Sequence, residues 1–310
     1  VEQQIRPSQI ITKEALENTV TLLSAIGGSL NAMIHLPALA AELGLELDWD
    51  DIAKITSKTP VLCGIVPNGN LTAVDLHYAG GIPAVMKELR DKLHGECLNV
   101  CGLSLGEILE QTKDGDRTVI HTAGEPLEKA NGIQVLYGNL APQGALVKTS
   151  AVPENVRVFE GTAKVFDGED ACYAAFRDHA IHEGDAVIVR YEGPKGGPGM
   201  KELHRITEII KGIPRTAVIT DGRFSGASGG LSIGYLCPEA EEGGPIALVK
   251  NGDRIQVDLY KGMIHLDVSD EELISRRNAW EHGEKKKEKG LLGRYAAMVG
   301  NARQGATFHI

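Results

Sequence analysis

Residues 216–234 read TAVITDGRFSGASGGLSIG. Ala217–Thr220 is a short apolar and β-branched run closed by Asp221-Gly222, the pattern of a buried strand ending in a turn. Working outward, runs of the same kind recur: IQVLYG at 133–138, GALVKTSAV at 144–152, RVFEGTAKVF at 157–166, DAVIVRYEG at 185–193, PIALVKNGDRIQVDLYKG at 245–262 and MIHLDVS at 263–269. Turn residues separate them at Asp167-Gly168, Glu183-Gly184-Asp185 and Asn251-Gly252-Asp253. This spacing predicts a β-rich domain after about residue 130, barrel-like or sandwich-like. Two helices interrupt it, at 170–180 and 269–287. The charge-dense stretch Arg276–Lys289 reads as a solvated helix face.

The first part of the chain has a helical texture. In KEALENTVTLLSAI, 13–26, apolar positions recur at helical spacing, with Thr12 as N-cap and Gly27-Gly28 as the stop. A second helix is expected at about 31–43, with Pro37 kinking it or delaying its start. Asp48 or Asp50 caps a short helix through Ile55. Residues 60–66, PVLCGIV, read as a buried strand closed by Pro67-Asn68-Gly69. Helical residues 72–93 break at Gly80–Pro83, and LSLGEILEQ at 103–111 gives one more short helix.

Composition narrows the function. The 310 residues carry 32 Lys+Arg against 42 Asp+Glu, a net charge of −10, which disfavours a binder of the nucleic-acid phosphate backbone. No apolar run reaches the roughly 18 residues of a membrane span, and the first residues, VEQQIRPSQIITKEALEN, lack the apolar core of a signal peptide. Five widely spaced cysteines, Cys63, Cys97, Cys101, Cys172 and Cys237, argue against a disulfide framework and for a reducing, cytoplasmic setting. Cys97 and Cys101 form a C-x3-C pair, but no second pair completes a four-ligand set. The ten histidines form no metal-binding cluster.

The stretch Glu192–Gly244 carries the chemistry. Two glycine-rich loops, GPKGGPG and DGRFSGASGG, flank the run TAVIT. Their backbone amides can approach an anion closely, although neither loop is a phosphate-binding P-loop. Ser225 sits on a tight turn beside Gly226, as an exposed nucleophile or base would, or as a serine bonded to its own turn would. Glu192 and Glu202 flank the first loop and have the hard-oxygen chemistry that Mg2+ takes, unless they are solvated surface carboxylates. Asp221 poses the same choice.

The motifs TDGRFSG at 220–226, YEGPKGGPGM at 191–200, PEAEEGGPIALVKNGD at 238–253, GNLAPQGALVKT at 138–149, GGSLNAMIHL at 27–36 and DLHYAGGIPAVMKEL at 75–89 resemble the dihydroxy-acid dehydratase and phosphogluconate dehydratase family. The resemblance implies a hydro-lyase that removes water from a 2,3-dihydroxy carboxylate to give a 2-keto acid, using Mg2+ and an iron–sulfur cluster. Carried over by position, Ser225 would be the general base. Ser228, Arg223 and Asp221 would lie at the substrate. Glu202 would ligate Mg2+, with Glu192 as a weaker candidate. The fold implied is α/β: an incomplete helical α/β region at 1–130, then a β-barrel-like, swivelling-type C-terminal domain at 131–310 carrying the serine.

Family members are nearly twice as long, and the cluster cysteines and further Mg2+ ligands are expected in the half not represented. The resemblance therefore places this chain as the C-terminal half, inactive alone. It functions as a homodimer or with a partner chain that supplies the other half, and it takes a small dihydroxy acid, with neither nucleic acid nor membrane as partner. The alternatives are a sugar-acid (aldonate or phosphogluconate) dehydratase and a non-catalytic fragment or regulatory module.

Overall fold

The computed structural model describes residues 4–206, 212–226, 228–281 and 288–308. The chain divides into two compact units, Val1–Gln134 and Val135–Ile310.

The first unit is helical. Helix α1 (Lys13–Ile26) begins where Thr12 Oγ1 accepts from the Ala15 amide and ends at Gly27, whose φ of +60° is a left-handed cap. Helix α2 (Ala32–Glu42) contains Pro37. Proline cannot donate to the carbonyl four residues back, that of Met33. The indole N–H of the fully buried Trp49 takes that carbonyl instead, at 3.1 Å. Trp49 opens α3 (Trp49–Thr56), which Asp48 caps through the amides of Asp50 and Asp51.

Helices α4 (Ala73–Tyr78) and α5 (Gly81–Glu88) meet at the predicted glycine break, and Ser104 begins α6 (Leu105–Gln111) with a capping box. One expectation fails. Residues 60–66 form no strand: Val61, Leu62 and Cys63 are buried, but only isolated bridges form, Val61 to Glu128 and Ile65 to Leu71. The apolar run satisfies burial in the cluster around Ala25, Val85 and Ile120 without a neighbouring strand to complete a ladder.

The second unit is an eight-stranded sheet. Its strands are β1 (Gln134–Leu136), β2 (Gly144–Val147), β3 (Val158–Asp167), β4 (Asp185–Arg190), β5 (Ala217–Thr220), β6 (Leu231–Cys237), β7 (Arg254–Asp258) and β8 (Met263–Asp267). They lie in the order β1-β2-β6-β5-β4-β3-β7-β8. The two edges meet where Tyr137, just after β1, bridges Met263: its amide donates to Gly262 O and its carbonyl accepts from the Ile264 amide, both at 2.9 Å. The sheet is therefore a nearly closed barrel, which removes the exposed edges an open sheet would leave.

Within it β3, β4, β5 and β6 run parallel. Helix α7 (Glu169–Arg177) carries the chain from β3 to β4, and antiparallel pairings of β2 and β7 flank the parallel centre. Leu136, Val147, Ile188, Ile219, Ile233, Ile255 and Ile264 contribute to one continuous core.

Strand β6 departs from expectation. Leu231–Cys237 has one β-branched residue and an internal glycine, and it reads as the tail of the glycine loop. All seven residues are nonetheless buried between β2 and β5, because position in the sheet overrides propensity. PIAL at 245–248 forms a single helical turn instead of a strand. The helix expected at 269–287 spans Asp270–Asn278 (α8), and residues 282–287 lie outside the described set. Arg276, expected to be solvated, is pinned by both guanidinium nitrogens to Asp253, at 2.5 and 3.0 Å. A last helix, α9 (Gly290–Met298), has no counterpart in the sequence reading.

Candidate active site

Two glycine-rich loops rise from the carboxyl ends of the parallel strands, Tyr191–Met200 after β4 and Asp221–Gly230 after β5. Such strand ends are the common position for ligand sites in α/β sheets.

Asp221 follows directly on β5 and is completely buried. Its carboxylate accepts from the amides of Tyr191 (3.1 Å), Glu192 (2.9 Å) and Ala240 (2.9 Å). Burial raises its pKa above the usual carboxylate range against the pull of those amides. Glu239, buried beside it, accepts from the amides of Lys195 (2.9 Å) and Gly196 (2.8 Å). Burial first, then the Asp221 charge, lift Glu239 to about 8. Glu192 Oε1 accepts from the Glu169 amide at 2.9 Å and so caps helix α7.

The loop amides donate to the protein's own buried carboxyl groups. The glycines make the cradle possible: a Cβ on Gly193 would lie 2.5 Å from Glu239 Oε2, and one on Gly197 would lie 2.9 Å from the Glu192 backbone.

The TDGRFSG segment alternates. Arg223 is half-buried, and its Nε donates to the Met200 carbonyl at 2.5 Å. Its main chain bridges Glu202, with the Leu203 amide donating to Arg223 O at 2.8 Å. Phe224 plunges into an apolar cluster with Cys172, Val189, Leu203 and Val218. Ser225 follows at a half-buried position, and among the described residues its hydroxyl has no hydrogen-bond partner. Its carbonyl accepts from the Ser228 amide at 3.1 Å, closing a four-residue turn. The Ser228 hydroxyl is buried without a hydrogen-bond partner among the described residues.

Arg223, Ser225 and Ser228 therefore share one loop, and the Glu202 backbone bridges to it at Arg223. Asp221 and Glu192 hold main-chain amides, and Glu202 is an exposed side chain. Two residues escaped the sequence reading. Glu239 gave no signal beyond its place in CPEAEEGGP. Lys148, after β2, is buried and donates to the Gly226 carbonyl at 3.0 Å.

By themselves the described residues supply no complete ligand set for either implied cofactor. Among the described residues no group of three His, Cys, Asp or Glu side chains is arranged to hold a metal. The carboxylates of Asp221, Glu239 and Glu192 are already engaged by amides. The buried thiols of Cys63, Cys172 and Cys237 are pushed by burial up to about 12, away from the thiolate a cluster needs. Cys97 is half-buried and Cys101 exposed.

Fold and loops together define a barrel-like α/β domain that presents a serine on a loop pinned by buried acids. A family model described as Dihydroxy-acid/6-phosphogluconate dehydratase C-terminal matches residues 118–306, and its N-terminal counterpart matches residues 1–108. The chain belongs to this family. It is 46% identical to a dihydroxy-acid dehydratase of Ruminiclostridium cellulolyticum over 311 residues, covering 99% of this chain and 56% of that protein. The dihydroxy-acid dehydratase of Acetivibrio thermocellus is 47% identical with the same coverage, and that of Francisella tularensis subsp. novicida is 43% identical over 98% of this chain and 55% of its own length. The chain thus spans just over half the length of the curated relatives it matches. No helix among the described residues is long and apolar enough to cross a membrane.

Proposed function

We propose that this chain carries the proton-abstracting part of a dihydroxy-acid dehydratase, which removes water from a 2,3-dihydroxy carboxylate to give a 2-keto acid. The observation that carries the reading is Ser225: a half-buried hydroxyl without a protein partner among the described residues, on a loop fixed by Phe224 and Asp221. The family match supports it.

In the reaction the ionised Ser225 oxygen takes the proton from C2. The C–H electron pair becomes the C2–C3 double bond as the C3–O bond breaks, and the departing hydroxyl leaves as water after gaining a proton. The enol at C2 then ketonises. Arg223, half-buried two residues before Ser225, and Ser228, in the same turn, are proposed to face the substrate. Asp221 acts by holding the two loops together. Glu202, an exposed carboxylate, is proposed to contribute to the Mg2+ site, with the remaining Mg2+ ligands and the iron–sulfur cluster ligands supplied by residues other than the described ones, so no step is assigned to either group. On the same ground the isolated 310-residue chain is expected to show no turnover.

The test is Ser225→Ala in the complete enzyme. Loss of a positioned general base typically costs on the order of 10²- to 10⁴-fold in rate, and exchange of the substrate's C2 proton with solvent should fall with it. Turnover within tenfold of the parent would overturn the assignment. Comparing a branched 2,3-dihydroxy acid with an aldonate and 6-phosphogluconate fixes the substrate class. The relatives' names favour the first.

A further inference from the structure

Lys148 is a cation in an unusual place. It stands at the end of β2, its side chain is almost wholly buried, and its ammonium donates to the Gly226 carbonyl at 3.0 Å. Among the described residues no carboxylate pairs with it. Burial without a counter-charge pulls its pKa down to about 8. A buried charge without a partner is costly and persists where function requires it.

The contact it does make falls one residue after Ser225. The turn it braces, Ser225–Ser228, contains the buried Ser228 hydroxyl, which has no hydrogen-bond partner among the described residues. A buried cation without a counter-charge and a buried hydroxyl without a partner among the described residues thus meet at one turn. The charge that would compensate the ammonium is an anion, and the reaction proposed above starts from one on Ser225, the residue before the carbonyl that Lys148 holds.

We propose that Lys148 is a positioning residue for Ser225: its ammonium fixes the Ser225–Ser228 turn through the Gly226 carbonyl and favours the ionised hydroxyl. The inference rests on Ser225 being the base. A serine is a weak base at its free pKa and needs such a neighbour. Lys148 touches the turn and not the reacting atoms.

The experiment has two readouts in the full-length enzyme. Lys148→Met should lower kcat on the order of 10- to 100-fold with KM within about threefold, and it should move the acid limb of the kcat profile up by about one pH unit. Lys148→Arg, which keeps the charge, should recover most of the rate. The melting temperature of Lys148→Met should be unchanged or higher, because a buried unpaired charge has been removed.

Independently of turnover, the thiol of Ser225→Cys can be titrated by iodoacetamide alkylation against pH and read on its own peptide by mass spectrometry. Adding Lys148→Met should raise its pKa by about one unit. If Lys148→Met does not fold, Lys148→Gln set against Lys148→Arg makes the same comparison of neutral and charged side chains. An unmoved thiol titration, or a rate loss that merely tracks a lowered melting temperature, overturns the role of Lys148 while leaving Ser225 intact. Wild-type turnover in Ser225→Ala would overturn the reading of the base itself.

Discussion

The carboxyl of Glu239 is held at the centre of the loop scaffold, and replacing it with glutamine should produce a stability difference that changes sign with pH. In the folded chain burial and the neighbouring Asp221 raise this carboxyl from 4.5 to about 8. Between those two pH values the native state holds a proton that the unfolded chain has released. The unfolded state binds fewer protons, so stability falls as pH rises through this window. At 1.36 kcal/mol per pH unit, the loss amounts to about 5 kcal/mol, fully felt above pH 8.

Glutamine keeps the shape but is neutral at every pH. It also places an NH2 where one carboxylate oxygen accepts from the Lys195 or Gly196 amide, so it forfeits one of the two bonds. That loss costs about 1–3 kcal/mol. At pH 5, where Glu239 is itself neutral, Glu239→Gln should therefore be less stable than the parent by about that amount. At pH 9 it should be more stable, with the crossing between pH 5 and 8.

Urea unfolding followed by circular dichroism at unit pH intervals from 5 to 9 measures the difference directly, since the other titrating groups largely cancel between the two proteins. A pH-independent difference, or one that grows more unfavourable to glutamine as pH rises, would show that Glu239 is ionised in the fold and refute the reasoning.

Other outcomes follow from the same scaffold. Asp221→Ala leaves three buried amides without an acceptor and should cost at least about 3 kcal/mol in urea unfolding; a loss below about 1 kcal/mol would mean the loops close without it. Phe224→Ala empties the cluster beneath the serine loop and should cost about 3–5 kcal/mol, measured in the same assay, with near-wild-type stability counting against the anchoring role. Thr12→Ala removes the cap of α1 and should cost about 1 kcal/mol, while Thr12→Ser should restore most of it; equal melting temperatures for all three proteins would argue that the cap is idle.

Much of the fold can be read from local chemistry. The limits of α1 follow from Thr12 and Gly27, and the break between α4 and α5 from Gly80 and Gly81, because caps and breakers act within a turn of themselves. Most strands announce themselves as β-branched runs between turn residues. Strand β6 does not, since Leu231–Cys237 is a strand by virtue of lying between β2 and β5, and sheet order is a long-range property. PVLCGIV shows the reverse error: a run suited to a strand stays single where no neighbour completes a ladder.

The site divides along the same line. Ser225 is visible in its motif, and its half-buried position agrees with a residue that acts outward. The glycine loops are visible too, but short-range reasoning does not supply the acceptors that their amides meet, which are buried carboxyl groups of the same chain. Asp221 accepts from amides 29 and 30 residues earlier in the chain, Glu239 from amides more than forty residues earlier, and Lys148 braces a carbonyl 78 residues away. Once the amides of 191, 192, 195 and 196 are taken by Asp221 and Glu239, these four donors have no capacity left for a substrate carboxylate. The loops then serve as a rigid mount, which is consistent with the proposal that Arg223, Ser225 and Ser228 face the substrate. That division accounts for two buried carboxyl groups with raised pKa values, Asp221 four residues before Ser225 and Glu239 fourteen after it, beside a loop whose serine hydroxyl has no protein partner among the described residues. The fold concentrates its electrostatic cost in the mount rather than at the serine.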